Sequence, residues 1–182
     1  MIISLVGMPG CGKSTVGRHV ARNIGWRFID SDHEIEHRLG HTIMGHFERF
    51  GEASFRDLEA EVLAEICARQ GVILATGGGA VLRETNRQAL KAGGNQVVYL
   101  RAMVDDLVRR LRHDQHRPLL QGVDPARRLR ELYLQRDPVY RELADFTFDT
   151  GRVSVATIAN LLAMQLELGL TLSPPLAPGA HS

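Results

Sequence analysis

The eight residues Gly7-Met8-Pro9-Gly10-Cys11-Gly12-Lys13-Ser14 satisfy G-x-x-x-x-G-K-[ST], and their setting constrains the chain more than any other feature. The apolar run IISLV at 2–6 precedes them and a stretch of helical period follows from Ser14. A strand that turns through glycines into a helix aims several backbone N–H groups at one point, with the positive end of the helix behind them. Such a point suits phosphate oxygens. The motif therefore predicts a nucleotide site in which Gly10, Cys11, Gly12 and Thr15 line the cradle. Lys13 would reach the β and γ phosphates and the Ser14 hydroxyl would ligate Mg²⁺. The bland alternative, a glycine turn with a surface lysine, does not account for the strand before and the helix after.

The rest of the chain repeats that alternation. Short apolar runs at 27–30, 72–75, 96–100 and 146–148 alternate with helical stretches at 14–24, 33–39, 43–50, 53–69, 84–92, 103–113, 125–144 and 154–168. This order predicts a three-layer α/β/α fold around a five-stranded parallel sheet. Gly25 and Gly71 follow helices, where a left-handed residue is least costly as glycine, and Asp124-Pro125 reads as an N-cap followed by a first turn. At 182 residues the chain fits one domain, expected over 1–168. Within it, 32–60 is expected to be a small substrate-binding helical region. The polar segment DQHRPLLQGVD reads as a lid over about 112–124, and the proline-bearing stretch 169–182 as a disordered tail.

Composition removes several classes of function. Lys and Arg number 22 against 21 Asp and Glu, a formal charge of +1, so there is no global attraction to nucleic acid or to an anionic membrane. Any anion site must be built locally. No run reaches transmembrane length and no leader-like segment precedes the first strand, so a cytoplasmic protein is expected. Cys11 and Cys67 have no metal-ligand spacing and are expected to be free thiols. His33, His37 and His41 fall at i, i+4 and i+8 beside Glu34 and Glu36, and read as a solvated helix face.

Asp30 and Asp32 stand at the C-terminal end of the second strand, where ligands of open α/β sheets bind. A carboxylate beside a metal and an alcohol can orient that alcohol and accept its proton during phosphoryl transfer, a role suited to Asp32. Asp30 could contact Mg²⁺. Alternatively one of them, or Ser31, caps the helix that follows. Three more segments stand out: GEASFRDLE at 51–59, TGGGA at 76–80 and LYLQRDP at 132–138. An arginine fork matches a carboxylate better than an ammonium does. Taken alone, Arg56 would read as a surface pair with Glu59 one turn on.

In their order and spacing these segments, with the phosphate loop and DSD, resemble the shikimate kinase family over about 2–162. The resemblance implies ATP-dependent phosphorylation of the 3-hydroxyl of shikimate by a monomer with a P-loop core and an arginine-bearing lid. It implies that Arg56 and Arg136 grip the shikimate carboxylate and that Gly77, Gly78 and Gly79 let its hydroxyls approach backbone N–H groups. Lid Arg117 would reach the ATP phosphates, Arg110 would lie against the adenine, and Arg152 would lie near the nucleotide. Phe47 and Phe55 would wall the substrate ring, although two aromatics on a helical face also suit a core. One departure is visible: VILAT ends in Thr76 where other nucleotide-binding folds carry a metal-binding Asp, a need that Asp30 would meet. The rival readings are a small kinase for gluconate or a nucleotide, and a module that senses nucleotide without transferring phosphate. A sensor has no use for Asp32, Arg56 and Arg136 together.

Overall fold

The computed structural model describes residues 1–111, 124–151 and 153–167; Arg117 with the rest of 112–123 of the expected lid, Arg152, and the tail lie outside the described residues. All five expected strands form within one residue of their predicted ends: β1 Ile2–Val6, β2 Arg27–Asp30, β3 Val72–Ala75, β4 Gln96–Arg101 and β5 Phe146–Asp149. They pair in parallel in the order β2-β3-β1-β4-β5. β1 and β3 are buried from end to end, while the edge strands β2 and β5 are only partly covered. A central parallel strand has helices over both faces, which is why IISLV and VILA read as unbroken apolar runs.

The helices are α1 Lys13–Ile24, α2 Ser31–Leu39, α3 Ile43–Cys67, α4 Glu84–Lys91, α5 Val104–Leu111, α6 Pro125–Leu143 and α7 Val155–Glu167. The chain moves from β1 outward to β2, then back across the sheet through β3, β4 and β5. Right-handed crossovers therefore put α1 on one face and α3, α4 and α6 on the other. The packing of α1 on α7, α3 on α4 and α5 on α6 agrees. One boundary differs from expectation. α2 begins at Ser31 because Asp30 is its N-cap, its carboxylate accepting from the Asp32 N–H at 3.1 Å. Within Ile43–Cys67 the helix breaks at Gly51, whose φ of 79° and ψ of 170° are not helical, between the two helices expected at 43–50 and 53–69.

Candidate active site

β1 and β3 are neighbours whose following segments depart to opposite faces, so a crevice opens between their C-terminal ends. Leu5 pairs with Ala75, and Thr76 donates both its N–H (3.1 Å) and its hydroxyl (3.2 Å) to the Leu5 carbonyl. Thr76 thus joins the roots of the two loops. The loop after β1 is the glycine-rich motif and the loop after β3 is Gly77-Gly78-Gly79, so sheet topology alone brings them side by side.

In the phosphate loop, Gly12 has a φ of 101° as it enters α1, a conformation that a side chain would strain. Lys13 is folded back, its Nζ donating to the carbonyls of Gly7 (2.9 Å) and Met8 (3.1 Å). The Ser14 hydroxyl donates to Asp30 Oδ2 at 2.6 Å. Asp30 therefore bonds the loop through one oxygen and caps α2 through the other, which is the capping role weighed for it. Cys11 is buried in the loop and Thr15 is exposed on the first turn of α1. Arg110, on α5, lies over the loop, with Nη1 3.4 Å from the Gly10 carbonyl and Nη2 3.3 Å from that of Thr150. Cys11 and Cys67 are free and buried, and burial pushes the Cys67 thiol up to about 11.

The second half of the crevice gathers side chains from three helices around the glycine loop. A methyl group built on Gly77 would stand 2.7 Å from Asp32 Oδ1 and 3.0 Å from Glu59 Oε1. On Gly78 it would meet Arg136 Nη1 and Pro9 Cδ, both at 3.2 Å, and on Gly79 the Arg56 guanidinium, with Nη1 at 2.7 Å. None of the three glycines has a positive φ. Their missing side chains make room for Asp32, Glu59, Arg136 and Arg56. The expectation that all three N–H groups serve a ligand needs one correction: the Gly77 N–H already donates to Ser31 Oγ at 2.9 Å.

Arg56 is not a surface residue. Its Nη1 donates to Glu59 Oε2 at 2.8 Å, and its Nε and Nη2 reach Glu52 Oε1 at 3.2 and 3.0 Å, with Glu59 fully buried. Three of its five donors are thereby committed, which leaves one N–H on each terminal nitrogen. Burial pushes the Glu59 carboxyl above its ordinary range, against the pull of Arg56. Arg136 is only 2% exposed; among the described residues no carboxylate pairs with it, and its Nε has no hydrogen-bond partner. Burial lowers its pKa, with Tyr140 and its own neighbour in space Arg56 acting in opposite directions. Phe55 is buried, with Phe47 4.9 Å from it ring to ring and the Arg56 guanidinium 5.1 Å from its centroid.

Sequence reasoning missed Ser31 and Tyr140, which brace the glycine loop; the one available signal for Tyr140 was its place one helical turn after Arg136. The histidine face needs correcting as well. His33 and His37 are exposed on α2, but His41 lies past the end of that helix, its ring 5.7 Å from that of His46. Among the described residues no group of three or more His, Cys, Asp or Glu side chains is arranged to hold a metal by itself. Nor is any helix there long and apolar enough to cross a membrane.

Known proteins resemble this one throughout. A family model described as Shikimate kinase matches residues 9–167. A shikimate kinase from Cupriavidus pinatubonensis is 55% identical over 163 residues, 90% of this chain and 84% of the relative. One from Burkholderia lata is 53% identical over 174 residues, 96% and 94% of the two chains. Among solved structures, shikimate kinase from Acinetobacter baumannii in complex with shikimate superposes with a TM-score of 0.87 at 45% identity, covering 94% of this chain and 95% of that one. With its phosphate loop, its paired aspartates and two buried arginines around one crevice, this chain belongs to the shikimate kinase family.

Proposed function

We propose that the crevice transfers the γ-phosphoryl group of ATP to the 3-hydroxyl of shikimate, giving shikimate 3-phosphate and ADP, with each role assigned as follows. The observation that carries this reading is Arg136, a buried guanidinium with no carboxylate partner among the described residues, beside a second arginine that keeps two donors in reserve. A buried charge of this kind is costly unless a ligand supplies the counter-charge. The shikimate carboxylate would lie between Arg56 and Arg136, and the ring would run over Gly78 and Gly79 toward Asp32. A guanidinium fork fixes both position and orientation, which brings the reacting hydroxyl near in-line attack.

Lys13 would leave the carbonyls of Gly7 and Met8 and turn to the β and γ phosphates, over a cradle formed by Gly10, Cys11, Gly12, Ser14 and Thr15. Arg110, already over the loop, would lie against the adenine. By family resemblance Arg117 would reach the transferring group and Arg152 the nucleotide. Asp32 would orient the acceptor hydroxyl and take its proton as the new O–P bond forms and the bond to the ADP oxygen breaks.

The Ser14 hydroxyl and Asp30 carboxylate, 2.6 Å apart, form a pair of hard oxygen donors that fits Mg²⁺, an ion usually held by one or two carboxylates together with substrate phosphates. When bound there the ion would neutralise charge on the β and γ phosphates. The reading includes a cytoplasmic monomer that acts on small molecules, with no nucleic-acid or membrane partner.

A coupled assay tests it. Protein supplied with Mg-ATP should release ADP faster with shikimate than with gluconate, CMP or dephospho-CoA, and equal rates would sink the assignment. The variant Asp32→Ala should lose turnover yet keep ATP binding; unchanged turnover would remove Asp32 from the proton transfer.

A further inference from the structure

Tyr140 is wholly buried one helical turn beyond Arg136 on α6, and its hydroxyl donates a 2.6 Å hydrogen bond to the Gly78 carbonyl. Burial holds its pKa above the ordinary phenol value, so the hydroxyl remains a donor throughout the neutral range. Phosphoryl transfer itself makes no use of this phenol. On the same turn Asp137, 8% exposed, accepts from the Tyr99 hydroxyl of β4 at 2.7 Å and from Arg141 Nε at 2.7 Å. The rings of Tyr99 and Tyr140 pack 5.0 Å apart. One turn of α6 is therefore tied to the sheet through Asp137 and to the glycine loop through Tyr140, with Arg136 at its start.

Two consequences follow from helix geometry. Successive residues point about 100° apart around a helix, and the bonds to Tyr99 and Arg141 hold the Asp137 carboxylate away from Arg136, although the two are neighbours in sequence. Were that carboxylate free to turn, it would compete with any anion brought to Arg136. Second, Gly78 has Arg136 Nη1 and Pro9 Cδ each 3.2 Å from where its side chain would begin. A drift of the loop by a few tenths of an ångström would change the distance between the Arg136 fork and the backbone that the acceptor lies against.

We infer that Tyr140 is a positioning residue for the acceptor. Its hydroxyl sets the spacing between Arg136 and the glycine loop, and the Tyr99–Asp137 bond keeps the Arg136 charge available to the ligand. The inference rests on the proposed reading of Arg136 as a carboxylate grip. It is tested by steady-state kinetics on Tyr140→Phe, Tyr99→Phe and Arg136→Met, with thermal midpoints measured for each. Tyr140→Phe removes one hydroxyl and should raise the KM for shikimate about tenfold, the value of one hydrogen bond, with kcat and the KM for ATP within about twofold of wild type. Tyr99→Phe, which leaves the Asp137 carboxylate held only by Arg141, should give the same split. A lowered thermal midpoint with an unchanged acceptor KM in both tyrosine variants overturns the inference and leaves them as packing residues. Should Arg136→Met raise the acceptor KM while the tyrosine variants do not, the inference alone fails; should Arg136→Met leave it unchanged, the grip fails and the inference with it.

Discussion

Replacing Arg136 by methionine should yield a more stable protein and a poorer enzyme. Arg136 is 2% exposed, its Nε has no hydrogen-bond partner among the described residues, and burial already weakens its hold on the proton. An unmet buried donor costs about 1–3 kcal/mol, and exchanging buried ionic groups for apolar side chains of similar volume is often neutral or stabilising by about 1–4 kcal/mol. Methionine is long, unbranched and adaptable enough to fill the space. A net gain of about 1–2 kcal/mol at roughly 2–4 °C per kcal/mol for a chain of this size predicts a rise of about 2–8 °C in Tm. Binding should move the other way. Losing a charge-assisted fork to a carboxylate costs about 3 kcal/mol, or about a hundredfold in acceptor KM. Scanning calorimetry with and without shikimate reads both effects: wild type should gain about 2.7 kcal/mol at a hundred times Kd, and the variant almost none at the same concentration. A variant that melts below wild type without ligand would refute the reasoning, because it would mean that the Arg136 charge is satisfied in the free protein.

Gly79→Ala would place a methyl group within 2.7 Å of Arg56 Nη1, forcing the guanidinium off its 2.8 Å bond to Glu59. The acceptor KM should rise by about 1.5–3 kcal/mol, roughly tenfold to a hundredfold, with the KM for ATP little changed; a wild-type acceptor KM would contradict the packing of Arg56 on this loop. Glu59→Gln tests the electrostatics. Because the folded pKa of Glu59 lies above its unfolded value, the folded state binds that proton more tightly, and the associated stability is lost as pH rises through the folded pKa. Wild type should therefore lose thermal stability relative to Glu59→Gln as pH is raised from about 4 toward neutrality. A constant difference between the two melting curves would count against the raised carboxyl.

Much of the site was legible because its parts carry local signatures. Glycines, Lys13 and Ser14 between a strand and a helix describe a phosphate loop in whatever company they are found, and the capping role of Asp30 was among the alternatives that DSD allowed. The state of the arginines was not legible. The pattern FRDLE admits an exposed i,i+3 pair as readily as a buried one, and only packing against Gly79 and Phe55 puts Arg56 inside. The displacement of His41 from its helix was not legible either, since that helix ends at the left-handed Gly40 and not where the hydrophobic period stops.

By itself the sequence determined the parallel sheet, the nucleotide loop and the family, because each rests on residues close together in the chain or on the spacing of apolar runs. Only the tertiary structure decided which charges are paired. Arg56 finds its carboxylates within its own helix, whereas Arg136, on α6, is buried against a glycine loop some sixty residues away, with its neighbour Asp137 committed to Tyr99. Pairing of buried charge depends on direction and distance across the fold, and a one-dimensional pattern carries neither.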